Sequence, residues 1–152
     1  MASEKNLPGD LQNALLYFVG IKGTGMSALA ELMLGHGAQV CGSDTGEQFY
    51  TDTILQSLGI PYSEGFRAEN VPQKVDLVIY SAAYDPKTHP ELLEAQRRGI
   101  PMMEYTVALG ELSRDLHATG IAGVHGKTTT TAMAGTIIKE LGLPAGVLVG
   151  SA

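Results

Sequence analysis

The sequence predicts an α/β protein built on a doubly wound parallel sheet. Three observations carry that expectation. Apolar runs of strand length alternate with segments of helical periodicity, glycines close most of the helical segments, and the turns between them are short. The 19 glycines among 152 residues suit a fold that passes from strand to helix through tight loops.

The elements follow in order. "ALLYFVG" (14–20) is a continuous apolar run ending in glycine, as a strand buried on both faces should be. Met26, Leu29, Ala30 and Met33 then recur at helical spacing, and Gly35 and Gly37 end the pattern. "AQVCGSD" (38–44) reads as a second strand, and "TDTILQSLG" (51–59) as a helix closed by Gly59. "VDLVIYSA" (75–82) is a further apolar strand. Thr88 and Glu91 are spaced as a capping box for a helix ending near Arg97, Arg98 and Gly99. "IPMME" (100–104) reads as a short strand and "ALGELSRDL" (108–116) as a surface helix. The cycle then restarts: "HATGIAGV" (117–124) as a strand, a glycine-rich loop, a helix with Met133, Ile137 and Leu141 on one face, and "AGVLVG" (145–150) as a strand. The expected organisation is a polar tail over residues 1–13, a complete domain over 14–115, and over 116–152 the opening β-α-β of another.

Composition narrows the function classes. A net charge of −6 argues against a sequence-blind grip on nucleic acid, which needs a basic surface. Cys41 is the sole cysteine, so no intrachain disulfide forms, and it reads as a small apolar residue on a buried strand. No apolar run is long enough to cross a bilayer, and the tail "MASEKNLPGDLQN" lacks the core of a signal peptide, so a cytoplasmic protein is expected. His36, His89 and His117 are scattered without ligand spacing, which points to no protein metal site.

Two segments carry chemistry. "GIKGTGMSALAELM" follows the first strand, and Gly23, Gly25 and Ala28 satisfy G-x-G-x-x-G/A. Gly23 permits the tight turn, Gly25 lets the backbone approach a pyrophosphate, and Ala28 lets the helix lie close to the sheet. Ser27 adds a possible hydroxyl donor. Asp44, at the end of the second strand, is a carboxylate placed to accept from a ribose. The pattern makes the first domain Rossmann-like, and it fits NAD and a UDP-sugar equally. Lys22 either meets a phosphate or is a solvated loop residue, and the second is the expectation.

The second segment is "GVHGKTTTT" (123–131). The strict P-loop fails because Ile121 stands where its first glycine belongs, but a shorter G-x-x-G-K-T survives at Gly123, Gly126, Lys127 and Thr128. In such a loop successive N–H groups cup the β-phosphate, Lys127 reaches the β- and γ-phosphates of ATP, and the Thr128 hydroxyl ligates Mg²⁺. Thr129 to Thr131 would form the first helical turn.

Taken in order, "FVGIKGTGMSALAELM", "GSD" at 42–44, "AEN" at 68–70, "YSAAY" at 80–84 and "GIAGVHGKTTTTAM" at 120–133 resemble the Mur ligases of peptidoglycan synthesis, over roughly residues 15–150. The "HGKTTTT" form points to the alanine-adding branch or its relative that recycles murein peptides. Three positions depart from the family pattern: Lys22 and Ala28 stand where glycine is usual or frequent, and Phe66 where a histidine commonly precedes "xAEN". The resemblance implies an ATP-dependent ligase that joins L-alanine to UDP-N-acetylmuramate through an acyl phosphate. It places the UDP pyrophosphate on Gly23, Thr24, Gly25, Met26 and Ser27, with Asp44 and Ser81 near the nucleoside. ATP would be held by Gly123, Val124, His125, Gly126, Lys127, Thr128 and Thr129, with Lys127 and Thr128 in catalytic roles and Thr128 on Mg²⁺. His125 either touches a ligand or shapes the loop. Family members run to about three times this length, as domain sizes allow, so the chain alone is expected to bind UDP-N-acetylmuramate weakly or not at all and to lack ligase activity. Oligomeric state is not legible. Two rivals stand beside this reading: an NAD-dependent oxidoreductase on the first glycine turn, which leaves "GKTTTT" unexplained, and a nucleotide-sensing module.

Overall fold

A computed structural model describes residues 7–8, 10–114 and 116–149. Residues 1–6 and 9 of the expected tail, the boundary residue 115 and the closing residues 150–152 lie outside the described residues. Five parallel strands form one sheet: β1 (Leu15–Val19), β2 (Gln39–Asp44), β3 (Tyr62–Glu64), β4 (Leu77–Tyr80) and β5 (Met102–Glu104), in the order β3-β2-β1-β4-β5. The helices are α1 (Thr24–Gly35), α2 (Thr51–Ser57), α3 (Pro90–Arg97), α4 (Tyr105–Arg114) and α5 (Lys127–Glu140), with one 3₁₀ turn at Ala68–Asn70. The chain reverses its direction of travel across the sheet between β1 and β4. That is the switch point at which open α/β sheets leave a crevice outside the strands' carboxyl ends.

The alternation along β1 explains its uninterrupted apolar run. Leu16 and Phe18 face a core completed by Met26, Leu29, Ala30 and Met33 of α1, Leu55 of α2, and Ala108 and Leu112 of α4. Tyr17 and Val19 face the opposite core, with Val78 of β4 and Leu92 and Ala95 of α3. The sheet is therefore covered on both sides, as predicted, and each fully buried large side chain contributes about 1.5–3 kcal/mol. Gly37, at φ +90°, and Gly59, at φ +67°, end α1 and α2 in the left-handed conformation that glycine adopts without strain. Among the described residues no helix is long and apolar enough to cross a membrane.

The structure departs from expectation in four places. β3 has no counterpart in the sequence reading; it is a three-residue edge strand with no buried residue, so it leaves no hydrophobic pattern. The helix expected over 108–116 begins at Tyr105 and buries Ala108 and Leu112, so it is part of the first domain's core. There is no capping box: Pro90 occupies the first turn of α3, its N-cap is His89, and no side chain caps it. Glu91 instead turns inward, wholly buried, and accepts hydrogen bonds from the Ser43 hydroxyl, the Asn70 amide (2.7 Å) and the Arg67 N–H (3.2 Å).

The fourth departure concerns the expected second domain. α5 forms, but neither flanking segment is a strand among the described residues of 117–124 and 145–149. A parallel strand is stable only inside a sheet covered on both faces, and this stretch provides a single helix. Met133, Ile137 and Leu141 do share a face of α5, and all three are more than half exposed.

The packing around β2 and α3 can be probed by substitution. A Cβ on Gly42 would stand 3.0 Å from the Ile21 side chain and closer still to the Phe18 carbonyl oxygen. Gly42→Ala is therefore expected to cost about 1–3 kcal/mol in urea unfolding, with an unchanged m-value. His89 is buried with neither ring nitrogen hydrogen-bonded, and burial holds its pKa below 6.5 even though the Glu91 carboxylate pulls the other way. The unfolded chain then binds the proton more readily, so this contribution to stability is present above pH 6.5 and is lost as pH falls through the lowered native value. His89→Gln should flatten the stability–pH curve below 6.5, as read by midpoints at successive pH values.

Candidate functional site

The loops after β1, β2 and β4 converge at the carboxyl edge of the sheet. The first begins at Gly20, whose φ of +85° and close cover by the Tyr84 ring and Ser81 leave no room for a side chain. It reaches α1 with Gly23 as N-cap. The Ser27 N–H bonds the Gly23 carbonyl (2.8 Å), but the N–H groups of Thr24, Gly25 and Met26 find no acceptor among the described residues. Met26 is 3% exposed, and a backbone donor on so buried a residue is rarely left unpaired. Three aligned donors at the positive end of a helix dipole are suited to an anion.

The expected ligand residues of this first site do come together, with different duties. Asp44, nearly buried, spends one carboxylate oxygen on the Lys22 N–H (2.6 Å) and the other on the Thr45 N–H (2.7 Å). It clamps the glycine loop from behind. Ser27 is buried and donates its hydroxyl to the Thr24 carbonyl (3.1 Å), leaving its oxygen lone pairs free. Met26 buries its side chain, so only its N–H can serve a ligand. Ser81 bonds the Val19 carbonyl through its N–H (3.1 Å) and accepts from the Ala83 N–H (3.3 Å), half-exposed beside Gly20.

Lys22 overturns the reading of a solvated loop residue. It is 2% exposed. Its ammonium donates to the carbonyls of Thr45 (3.1 Å) and Glu47 (3.0 Å) and pairs with Asp52 (3.1 Å) and Glu64 (3.2 Å), over the Tyr62 ring. The reason is tertiary: the fold brings Asp52 and Glu64, distant in the chain, to the Lys22 ammonium. Burial by itself lowers its pKa, but hydrogen bonds and charge from Asp52 and Glu64 more than offset that, so the net shift is upward. The Asp52 carboxyl is likewise held down, since the bonds from Tyr62, Phe49 and Lys22 outweigh its burial.

Several neighbours of the site left no signal in the sequence. The Tyr105 hydroxyl lies 2.7 Å from where a Gly25 Cβ would be, so the bareness of Gly25 admits this ring as well as any ligand. The Tyr50 hydroxyl reaches the Thr24 hydroxyl at 3.0 Å. Phe66 packs edge-on against Tyr84 and His89, which are tilted against each other, with ring centroids 4.6–4.9 Å apart. Burial raises the pKa of Tyr84, with Asp44 and Glu91 adding to the shift, and burial raises that of Tyr105, so both phenols remain protonated donors. Burial also pushes the Cys41 thiol up to about 11, as an unreactive strand residue requires.

Gly123, Val124, His125 and Gly126 stand on a separate exposed loop, and Lys127, Thr128 and Thr129 form the exposed first turn of α5. Gly126 is the N-cap of α5 and adopts φ +79°, a conformation costly for any other residue. The Lys127 ammonium folds back to the Gly123 carbonyl (2.6 Å), and the Thr130 N–H bonds Gly126 (2.9 Å). The Thr131 hydroxyl is turned onto the Lys127 carbonyl (2.8 Å). Among the described residues no group of three or more His, Cys, Asp or Glu could hold a metal ion. A cation at this loop would arrive on phosphate, and the hard hydroxyl oxygen of Thr128 in the first turn of α5 fits it as a donor.

Residues 15–117 match the family model described as "Mur ligase family, catalytic domain". The UDP-N-acetylmuramate–L-alanine ligase of Treponema pallidum (strain Nichols) is 55% identical over 146 residues, 96% of this chain and 30% of that protein. The enzyme of that name from Borreliella afzelii is 45% identical over 139 residues, again 30% of its length. Among solved structures, the UDP-N-acetylmuramate-alanine ligase MurC of Thermotoga maritima superposes with a TM-score of 0.74 at 34% identity, covering 83% of this chain and 29% of that one. The Neisseria ligase MPL, named for UDP-N-acetylmuramate:L-alanyl-gamma-D-glutamyl-meso-diaminopimelate, superposes at 0.81 with 29% identity, over 92% of this chain and 44% of that one. The chain thus spans about 30% of the length of the curated relatives it matches. On the family model and the relatives together, the chain belongs to the Mur ligase family.

Proposed function

We propose that this chain carries the UDP-substrate domain and the opening of the ATP site of a ligase that joins L-alanine to UDP-N-acetylmuramate. The observation that carries the reading is the pair of separate phosphate cradles: orphan amides at Thr24–Met26 at the sheet's switch point, and the left-handed Gly126 turn under Lys127. Two cradles suit two molecules, one held by its nucleotide handle and one ATP that activates it.

The chemistry explains why both are needed. A carboxylate is a poor acyl donor, because its charge repels an amine and its oxygen leaves badly. Transfer of the γ-phosphoryl group of ATP to the muramyl carboxylate converts that oxygen into a phosphate leaving group. The alanine amine then forms the C–N bond and expels phosphate. Within the Gly23–Ser27 segment the free amides of Thr24, Gly25 and Met26 would seat the pyrophosphate, with Asp44 keeping that loop in shape and Ser81 near the nucleoside. Lys127 would leave the Gly123 carbonyl to meet the β- and γ-phosphates, with Val124, His125, Gly126 and Thr129 lining the loop. Magnesium carried on ATP, with Thr128 as a protein ligand, would neutralise charge on the transferring group. ATP and nucleotide sugars are cytoplasmic metabolites, and the cytoplasm is the proposed compartment. A second reading, the murein-peptide-recycling ligase, draws on the overlay with the Neisseria protein.

The 152-residue chain is expected to bind UDP-N-acetylmuramate weakly and to release no alanine-dependent ADP. Joined to the rest of the Treponema relative, it should release ADP and phosphate only with both L-alanine and UDP-N-acetylmuramate present. Lys127→Ala in that longer protein should lower the rate by about 10²–10³-fold, the scale for loss of one charge-stabilising donor. A longer protein that uses the tripeptide in place of alanine would move the assignment to the recycling branch. Tight NADH binding with no response to a UDP-sugar would sink both.

A further inference from the structure

The loop between β2 and α2 is heavily anchored for a segment that carries two exposed aromatic rings. Lys22 holds the carbonyls of Thr45 and Glu47 from below. Asp52 accepts from the Phe49 N–H at 2.6 Å and pairs with the same ammonium. The buried Thr51 hydroxyl donates to the Lys22 carbonyl at 2.5 Å, and the Tyr62 hydroxyl to Asp52 at 2.6 Å. Every anchor points inward, yet Phe49 is 41% and Tyr50 62% exposed. Packing does not explain the position of Tyr50, because most of its ring touches water. Its one hydrogen bond through the hydroxyl runs to Thr24, the first residue of α1. That bond sets a phenol proton beside the N–H groups of Thr24, Gly25 and Met26, which have no acceptor among the described residues.

We propose that Tyr50 is a ligand-binding residue of the first phosphate site, whose hydroxyl donates to the diphosphate seated on the N-terminus of α1, and that Lys22 is the positioning residue that fixes its loop. The inference rests on the assignment of that site to a nucleoside diphosphate. A neutral phenol is well matched to such a ligand, since it donates one hydrogen bond to a phosphate oxygen and brings no charge of its own. The buried ammonium acts at a distance from the ligand. It neutralises Asp52 and Glu64, which would otherwise repel an anion, and it removes the entropy the loop would lose on binding. Thr24 exchanges its bond to Tyr50 for a shared contact with the same phosphate.

The test follows backbone amide shifts of residues 23–27 by NMR while the 152-residue chain is titrated with UDP and, separately, with uridine, up to millimolar concentrations. The wild-type chain should respond to UDP at these amides. Tyr50→Phe should weaken UDP binding about tenfold, the scale of one hydrogen bond to a charged group. It should leave uridine binding and the thermal midpoint unchanged, which a merely structural role for the hydroxyl would not do. Lys22→Met should weaken UDP in the same sense, and if that variant fails to fold, Tyr50→Phe decides alone. An unchanged UDP affinity in Tyr50→Phe, with the wild type responding, overturns the role of Tyr50 and leaves the phosphate site standing. No response of the wild-type amides to UDP overturns the site and this inference together.

Discussion

The turn between Val19 and Thr24 is held from two sides by charge buried beneath it, and the proposed first phosphate site depends on that hold. Asp44 grips the Lys22 N–H, while the Lys22 ammonium gathers Thr45, Glu47, Asp52 and Glu64. One residue thus ties the glycine loop to β2, α2 and β3. An ammonium so placed cannot be left alone: removing one partner of a buried ion pair costs about 3–5 kcal/mol, because the other charge stays behind without a mate. Glu64 is 59% exposed and contributes the lesser share, since water screens it. Asp52, which also receives Tyr62 and Phe49, is the stronger partner.

The opposite face of the sheet has its own buried charge. Glu91 is wholly inside and takes bonds from Ser43 on β2, Asn70 in the 3₁₀ turn and the backbone at Arg67. The three letters "GSD" at 42–44 therefore serve three ends at successive positions. Gly42 admits Phe18 and Ile21, Ser43 meets Glu91 on one side, and Asp44 meets the glycine loop. The Ser43 carbonyl adds bonds to the N–H groups of Gly20 and Ile21. β2 thus shapes the loop of the proposed ligand site through the side chains of Ser43 and Asp44 and the Ser43 carbonyl.

How much of this the sequence discloses follows from the range of each interaction. β1, β4 and α1 are legible because burial on a sheet or a helix imposes a period, and the period survives in the letters. β3 is not, since an edge strand with no buried residue imposes none. Gly23, Gly25 and Asp44 are found by spacing, because the turn that needs them is local. Lys22 reads wrongly as solvated because its partners lie 23 to 42 residues away, and nothing beside it announces two carboxylates and two carbonyls. Thr88 and Glu91 have the right spacing for a cap, but a fold can claim a carboxylate for the core that a helix end would have used. The tyrosines at 50, 84 and 105 reach the site from three different loops or helix ends, and no spacing rule joins them.

The same distinction of range separates the two proposed phosphate cradles. The bonds of the second one, Lys127 to Gly123, Thr130 to Gly126 and Thr131 to Lys127, all span four residues. A loop closed by contacts that short forms without the domain around it, and it does so here while the described residues of 117–124 and 145–149 form no strand. The first cradle is the reverse case: it exists only where β1, β2 and β4 lie side by side, and its clamps cross up to 42 residues of chain. Its geometry is therefore as stable as the sheet. That of the second is as stable as one helical turn, until a sheet covers the apolar face of α5. In the proposed ATP site, Lys127 must give up its bond to the Gly123 carbonyl before it can meet a phosphate. On the proposed function, the long-range contacts would give rigid support to the substrate handle and the short ones local, reversible support to the nucleotide that reacts.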